Sequence, residues 1–103
     1  MFMKDYYNYD YNDVEIILRV IESRGKCISG YKVGRTWKFP SKKTPRDLCS
    51  WAYAAIFPYI SAVAFGAKLP WEKKKNYATA CCSDPVNLIT FEIIKGKVIK
   101  IKK

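Results

Sequence analysis

Four cysteines, Cys27, Cys49 and the adjacent Cys81 and Cys82, are the residues of this 103-residue chain best suited to chemistry, and no histidine accompanies them. Thiols in this number can ligate a soft metal ion or an iron–sulfur cluster, carry thiol redox chemistry, or fill a core as small side chains. A zinc or cluster site built on one loop uses C-x-x-C pairs, because a short loop presents two sulfurs to one ion. Here 21 residues separate Cys27 from Cys49, 31 separate Cys49 from Cys81, and none separates the last pair. Only the tertiary fold can bring such ligands together. Without histidine, the chain supplies no Ser/His/Asp or Cys/His catalytic arrangement and no Cys/His zinc site.

The adjacent pair carries its own constraint. Neighbouring side chains on a strand point to opposite faces, so Cys81 and Cys82 cannot share one ion while both lie in a strand. Their Cα atoms are ~3.8 Å apart, below the usual disulfide range of ~4.4–6.8 Å, so a vicinal disulfide would be strained. The expectation is one sulfur in and one out, with Cys82, beside the Ser83-Asp84-Pro85 turn, the accessible one. Cys49 falls in the first turn of a predicted helix. There the positive end of the backbone dipole favours a thiolate, and Arg46 adds to it. The competing reading is a small residue buried under Trp51 and Phe57.

The elements that must position these residues follow from periodicity. Val14 to Glu22 is rich in β-branched residues, and Val14, Ile16, Leu18 and Val20 alternate onto one face, which predicts a strand. The Gly34-Arg35 turn leads into a second short strand carrying Trp37 and Phe39 and stopped by Pro40. Thr44-Pro45-Arg46-Asp47 reads as a helix start, with Thr44 as N-cap, Pro45 at N1 and Asp47 at N3. Pro58 should kink or end that helix, and a second helical segment, 59–65, should end at Gly66. Leu48, Cys49, Ala52, Ile56, Tyr59, Ile60 and Val63 form its apolar stripe. Tyr77 to Cys82 predicts a strand, followed by a turn at Ser83-Asp84-Pro85. Leu88 to Ile94 and Lys97 to Ile101 predict two more, joined at Lys95-Gly96. The sum is an α+β domain: a small, mostly antiparallel sheet packed on one face by a kinked helix or helical hairpin. Residues 1–12 read as a Tyr-rich arm and 13–103 as the single domain.

Half of the residues are hydrophobic and 16% aromatic, enough for a core that needs no disulfide framework. No secretory leader and no membrane span is expected, which puts the thiols in a reducing cytoplasm. The net charge of +10 is uneven. One lysine faces four carboxylates in residues 1–15, whereas eighteen basic residues face five acidic ones in the remainder. Such a body attracts polyanions, but no nucleic-acid recognition motif accompanies the charge. Lys73-Lys74-Lys75 lacks the glycines of a phosphate loop, and Asp84, before Pro85, reads as a turn residue. Trp37, Trp51, Trp71, Tyr53, Phe57, Tyr59 and Tyr77 could line a pocket for a flat ligand but read first as core.

The segments G-Y-K-V-G (30–34), L-C-S-W-A-Y-A-A-I-F-P-Y (48–59), F-G-A-K-L-P-W (65–71), C-C-S-D-P-V-N (81–87) and F-E-I (91–93) together resemble a family of small uncharacterised cysteine-containing proteins of anaerobic bacteria and archaea. The resemblance covers residues 26–94. In that family's pattern a cysteine precedes the G-x-x-V-G turn, another precedes W-A, and one or two precede the D-P turn, places held here by Cys27, Cys49, Cys81 and Cys82. The N-terminal arm is extra, and Asn87-Leu88 replaces a proline-containing stretch. The resemblance implies a fold family and an anaerobic redox setting, with no assigned activity.

The leading expectation is therefore a cysteine-ligated metal or iron–sulfur accessory protein, with zinc or a cluster held by Cys27, Cys49 and Cys82 and with Cys81 as fourth ligand or core. A redox enzyme would be its protein partner, and a non-enzymatic role is favoured over catalysis. Two alternatives stand beside it: an interaction module whose basic surface binds an acidic protein or RNA, and a thiol redox protein acting through Cys49 or Cys82.

Overall fold

A computed structural model describes residues 12–100. The predicted arm lies outside this range except for Asn12, and so does Ile101. Four strands and one helix follow in the order β1 (Asn12–Ser23), β2 (Thr36–Pro40), α1 (Ser50–Ala64), β3 (Tyr77–Cys81) and β4 (Ile89–Lys100). The strands form one sheet of order β2-β1-β4-β3, antiparallel throughout. The fold class is α+β, as its patterning predicts.

Period-two alternation decides which face of the sheet is buried. Ile16, Leu18 and Val20 of β1, Trp37 and Phe39 of β2, Ala78 of β3 and Ile89, Phe91 and Ile93 of β4 form the inner face. Against them α1 buries Ala52, Ile56, Ile60 and Val63, spaced at helical period on one side. No helix among the described residues is long and apolar enough to cross a membrane.

Three local expectations change. The predicted turn at Lys95-Gly96 is the middle of a continuous β4. Val14 pairs with Val98 and Ile16 with Lys95, so two residues of β4 face Glu15 alone in a β-bulge. A Cβ on Gly96 would stand 2.9 Å from Glu15 Oε1 and 3.1 Å from the Glu15 carbonyl oxygen, so this glycine permits a close strand approach rather than a reversal. Pro58 neither ends the helix nor divides it, and α1 runs on to Ala64. Pro58 and Ala54, whose carbonyl would have met the missing N–H, both lie on the exposed face, where water can satisfy that oxygen. The helix ends as its glycine requires. Gly66, at φ 84°, donates to the Val63 carbonyl (3.0 Å), and Ala67 donates to that of Ala62 (3.0 Å).

The third change concerns the start of α1. Thr44-Pro45-Arg46-Asp47 is not helical; the helix begins at Ser50, with Cys49 at the N-cap. Asp47 adopts φ 63°, a left-handed conformation that no right-handed helix accommodates. The phenol of Tyr31, from the G-Y-K-V-G segment, donates to the Asp47 carbonyl (2.9 Å) and accepts the Cys49 N–H (2.6 Å). That tertiary clamp fixes the turn and delays the helix until the clamp is passed.

Candidate thiol site

Three chain segments meet at the N-terminal end of α1. The first is the loop after β1. Gly25, at φ 74°, lies so close to Asn87 that an added Cβ would stand 2.4 Å from Asn87 Oδ1. Asn87 Oδ1 accepts the Lys26 N–H (2.8 Å), and the Leu88 carbonyl accepts the Arg24 N–H (2.8 Å). A tight turn, Gly30 N–H to the Cys27 carbonyl (3.0 Å), then brings Cys27 round. The second segment is the turn after β3. Asp84 Oδ1 accepts the amides of Val86 (2.9 Å) and Asn87 (3.0 Å), which lower its carboxyl below the ordinary aspartate value. Asp84 is thus the turn-shaping residue its position before proline suggests. The third is the helix start held by Tyr31.

The result is one pocket lined by Cys27, Cys49 and Cys82, with walls from Ile28, Trp51 and Ile89 among others. Its free space is about 30 Å³, room for one ion or one to two waters. The structure thus gathers three of the four cysteines from separate parts of the chain. Cys81 is not among the lining residues and is exposed. This reverses the expected accessibility within the pair. Strand parity puts Cys82 on the inner face with Ala78 and Ala80, and Cys81 on the outer face with Tyr77 and Thr79. Cys82 also extends the ladder: its N–H donates to the Ile89 carbonyl (2.9 Å), and its Sγ accepts the Ile89 N–H at 3.3 Å. All four cysteines are free. Among the described residues no three His, Cys, Asp or Glu side chains stand together closely enough to hold a metal ion.

Hydrogen-bond donors surround the Cys49 thiol. Burial raises its thiol, but the Ala52 amide, the Ser29 hydroxyl and the Trp51 amide outweigh it, and the net result lies below the ordinary cysteine value. These amides belong to the first turn of α1, whose N–H groups have no intrahelical partner. At the N-cap itself the Cys49 side chain forms no cap hydrogen bond of ordinary geometry. The residues that sequence reasoning missed are Tyr31 and Ser29. Tyr31 lies in the G-Y-K-V-G segment, where a tyrosine between two turn glycines reads from pattern alone as a loop residue, and Ser29, just before that segment, carries no signal of its own. Of the aromatic pocket candidates, Trp37 is buried in the core, while Trp51 and Trp71 are exposed.

No family model, curated protein or solved structure matches this chain. The chemistry of the site therefore has to come from its own geometry.

Proposed function

We propose that this protein carries out thiol–disulfide exchange, with Cys49 as the attacking thiol and Cys27 or Cys82 as the thiol that resolves the mixed disulfide. The observation that supports it best is the convergence of three free cysteines on one pocket, with the anion-favouring one at a helix N-terminus. Cys49 thiolate attacks one sulfur of a substrate disulfide, and the other sulfur leaves as a thiolate that takes a proton from water. A second pocket thiolate then attacks Cys49 Sγ, releasing the bound half of the substrate and leaving an intramolecular disulfide. Two electrons pass from the protein to the substrate. A dithiol reductant would return the protein to the start by reducing that disulfide.

The test is residue-resolved alkylation of the reduced protein across pH, followed by mass spectrometry after oxidation. Cys49 should alkylate with a midpoint below that of an unperturbed cysteine measured alongside it, and oxidation should join it to Cys27 or Cys82. A midpoint at the free-cysteine value, with no such disulfide, sinks the proposal.

A soft-metal reading rests on the same convergence, since three sulfurs border a space of one ion's size. It needs the side chains to close in, and an iron–sulfur cluster would in addition have to open the pocket. Metal and sulfide content of protein purified without oxygen decides it. Stoichiometric zinc or iron, lost in Cys49→Ser, makes the pocket a metal centre; metal-free protein leaves it to thiol exchange.

A further inference from the structure

Cys49 borders a second recess. It is an open groove lined by Ser29, Tyr31, Arg35, Asp47, Leu48 and Cys49, without Cys27 or Cys82, and has about 530 Å³ of space. It carries one cationic and one anionic side chain, and the two are not paired with each other. Among the described residues the ion pair joins Arg19 and Glu92. Arg35 is held by stacking, with its guanidinium carbon 4.8 Å from the Trp37 ring centre and 5.9 Å from that of Tyr31. Those rings are themselves fixed edge to face at 5.0 Å. Asp47 is held by its backbone, through the Tyr31 clamp on its carbonyl. The groove is thus lined by an arginine, an aspartate and a cysteine, with the arginine side chain and the aspartate backbone anchored by other contacts.

We infer that this groove takes a zwitterionic amino-acid disulfide, of which cystine is the simplest, and this rests on the thiol-exchange reading. The α-carboxylate of the ligand meets Arg35, its α-ammonium meets Asp47, and its disulfide lies at Cys49. An amino acid bearing sulfur has this combination of one negative charge, one positive charge and a reacting sulfur a few bonds away. Cys49 attacks one sulfur of cystine, the S–S bond breaks, and one cysteine leaves as thiolate and is protonated by water. Attack by Cys27 or Cys82 on Cys49 then releases the second cysteine. Cystine is reduced by two electrons and the protein dithiol is oxidised to a disulfide.

The experiment uses the full reduced chain and measures second-order rates of Cys49 with cystine, cystamine, 3,3′-dithiodipropionate and bis(2-hydroxyethyl) disulfide. Each rate is divided by that of N-acetylcysteine with the same disulfide, which removes intrinsic reactivity. Cystine should lead, by about two- to fivefold for each exposed charge read, and high salt should erase the lead. Arg35→Gln should abolish the preference of cystine over cystamine. Asp47→Asn, a substitution that tolerates positive φ, should abolish its preference over dithiodipropionate. Each variant is referenced to its own rate with the neutral disulfide. Equal normalised rates for all four disulfides, with Cys49 still fast, overturn this inference and leave thiol exchange standing. A Cys49 that is slow even with the neutral disulfide overturns thiol exchange as well. If a variant does not fold, the wild-type series and its salt dependence decide by themselves.

Discussion

Replacing Tyr31 by phenylalanine removes one oxygen from the molecule and tests how the thiol site is built. That oxygen accepts the Cys49 N–H at 2.6 Å and donates to the Asp47 carbonyl at 2.9 Å. The ring itself, 8% exposed and packed edge-on against Trp37, keeps its contacts in the variant. The loss is therefore two hydrogen bonds at a partly buried turn, each worth about 0.5–1.5 kcal/mol net. Water reaches part of this turn and offsets some of the loss, so a cost of about 1–2 kcal/mol is expected. At ~4–8 °C per kcal/mol for a domain of this size, the melting temperature should fall by roughly 5–15 °C. The chemical consequence is separate. Asp47 sits at φ 63°, a conformation that costs about 1–2 kcal/mol for a residue other than glycine. Released from the clamp, it relaxes, and the Cys49 sulfur loses its alignment with the first-turn amides. The thiol should then titrate higher, so alkylation of Cys49 slows near pH 7 while its limiting rate at high pH does not fall, since a more basic thiolate is the better nucleophile. The assays are thermal denaturation and residue-resolved iodoacetamide labelling across pH. A lowered melting temperature with an unchanged Cys49 profile would refute the positioning role. No change in either would refute the clamp altogether.

Other outcomes follow from the same geometry. Gly25→Ala should cost about 1–3 kcal/mol, because φ is 74° and the new Cβ would meet Asn87 Oδ1 at 2.4 Å; urea denaturation measures it, and a neutral result would mean that the loop is not pinned to the turn. Asp13 is buried and accepts hydrogen bonds from Ser41 Oγ and from the amides of Val14 (2.8 Å) and Lys42 (3.3 Å). Burial raises its carboxyl, but these donors, Ser41 first, bring it below the ordinary aspartate value. Its contribution is therefore complete above the unfolded value near ~3.9 and is lost as pH falls through the lower folded value. Asp13→Asn should be less stable than wild type at pH 7, with the gap closing in acid; a gap independent of pH would contradict the assignment. Cys81→Ser should leave both melting temperature and disulfide formation unchanged, whereas Cys82→Ser should lower the melting temperature, because only Cys82 packs against the core.

Much of the architecture is legible in the chain because it depends on local rules. Alternation of Val14, Ile16, Leu18 and Val20 fixes both a strand and its buried face, since side chains on a strand have a period of two. The helical stripe of Ala52, Ile56, Ile60 and Val63 and the stop at Gly66 follow from the 3.6-residue repeat and the freedom of glycine at positive φ. That four thiols without C-x-x-C spacing need the fold to assemble any site is equally a property of the sequence. Tertiary structure alone decides the rest. Gly96 looks like a turn from its neighbours, but it lies in a bulge, because β1 supplies a partner strand along the whole of β4. Thr44-Pro45-Arg46-Asp47 looks like a helix start, but Tyr31, sixteen residues before Asp47, holds that residue in a conformation a helix excludes. The inner position of Cys82 and the outer one of Cys81 depend on which face of β3 is covered, and α1 covers it. Whether Cys27 meets Cys49 and Cys82 depends on Asn87, sixty residues from Cys27 along the chain, catching the loop at Lys26. Local pattern sets the elements because each residue feels its neighbours there; the site comes from contacts between residues far apart in sequence, which no local pattern encodes.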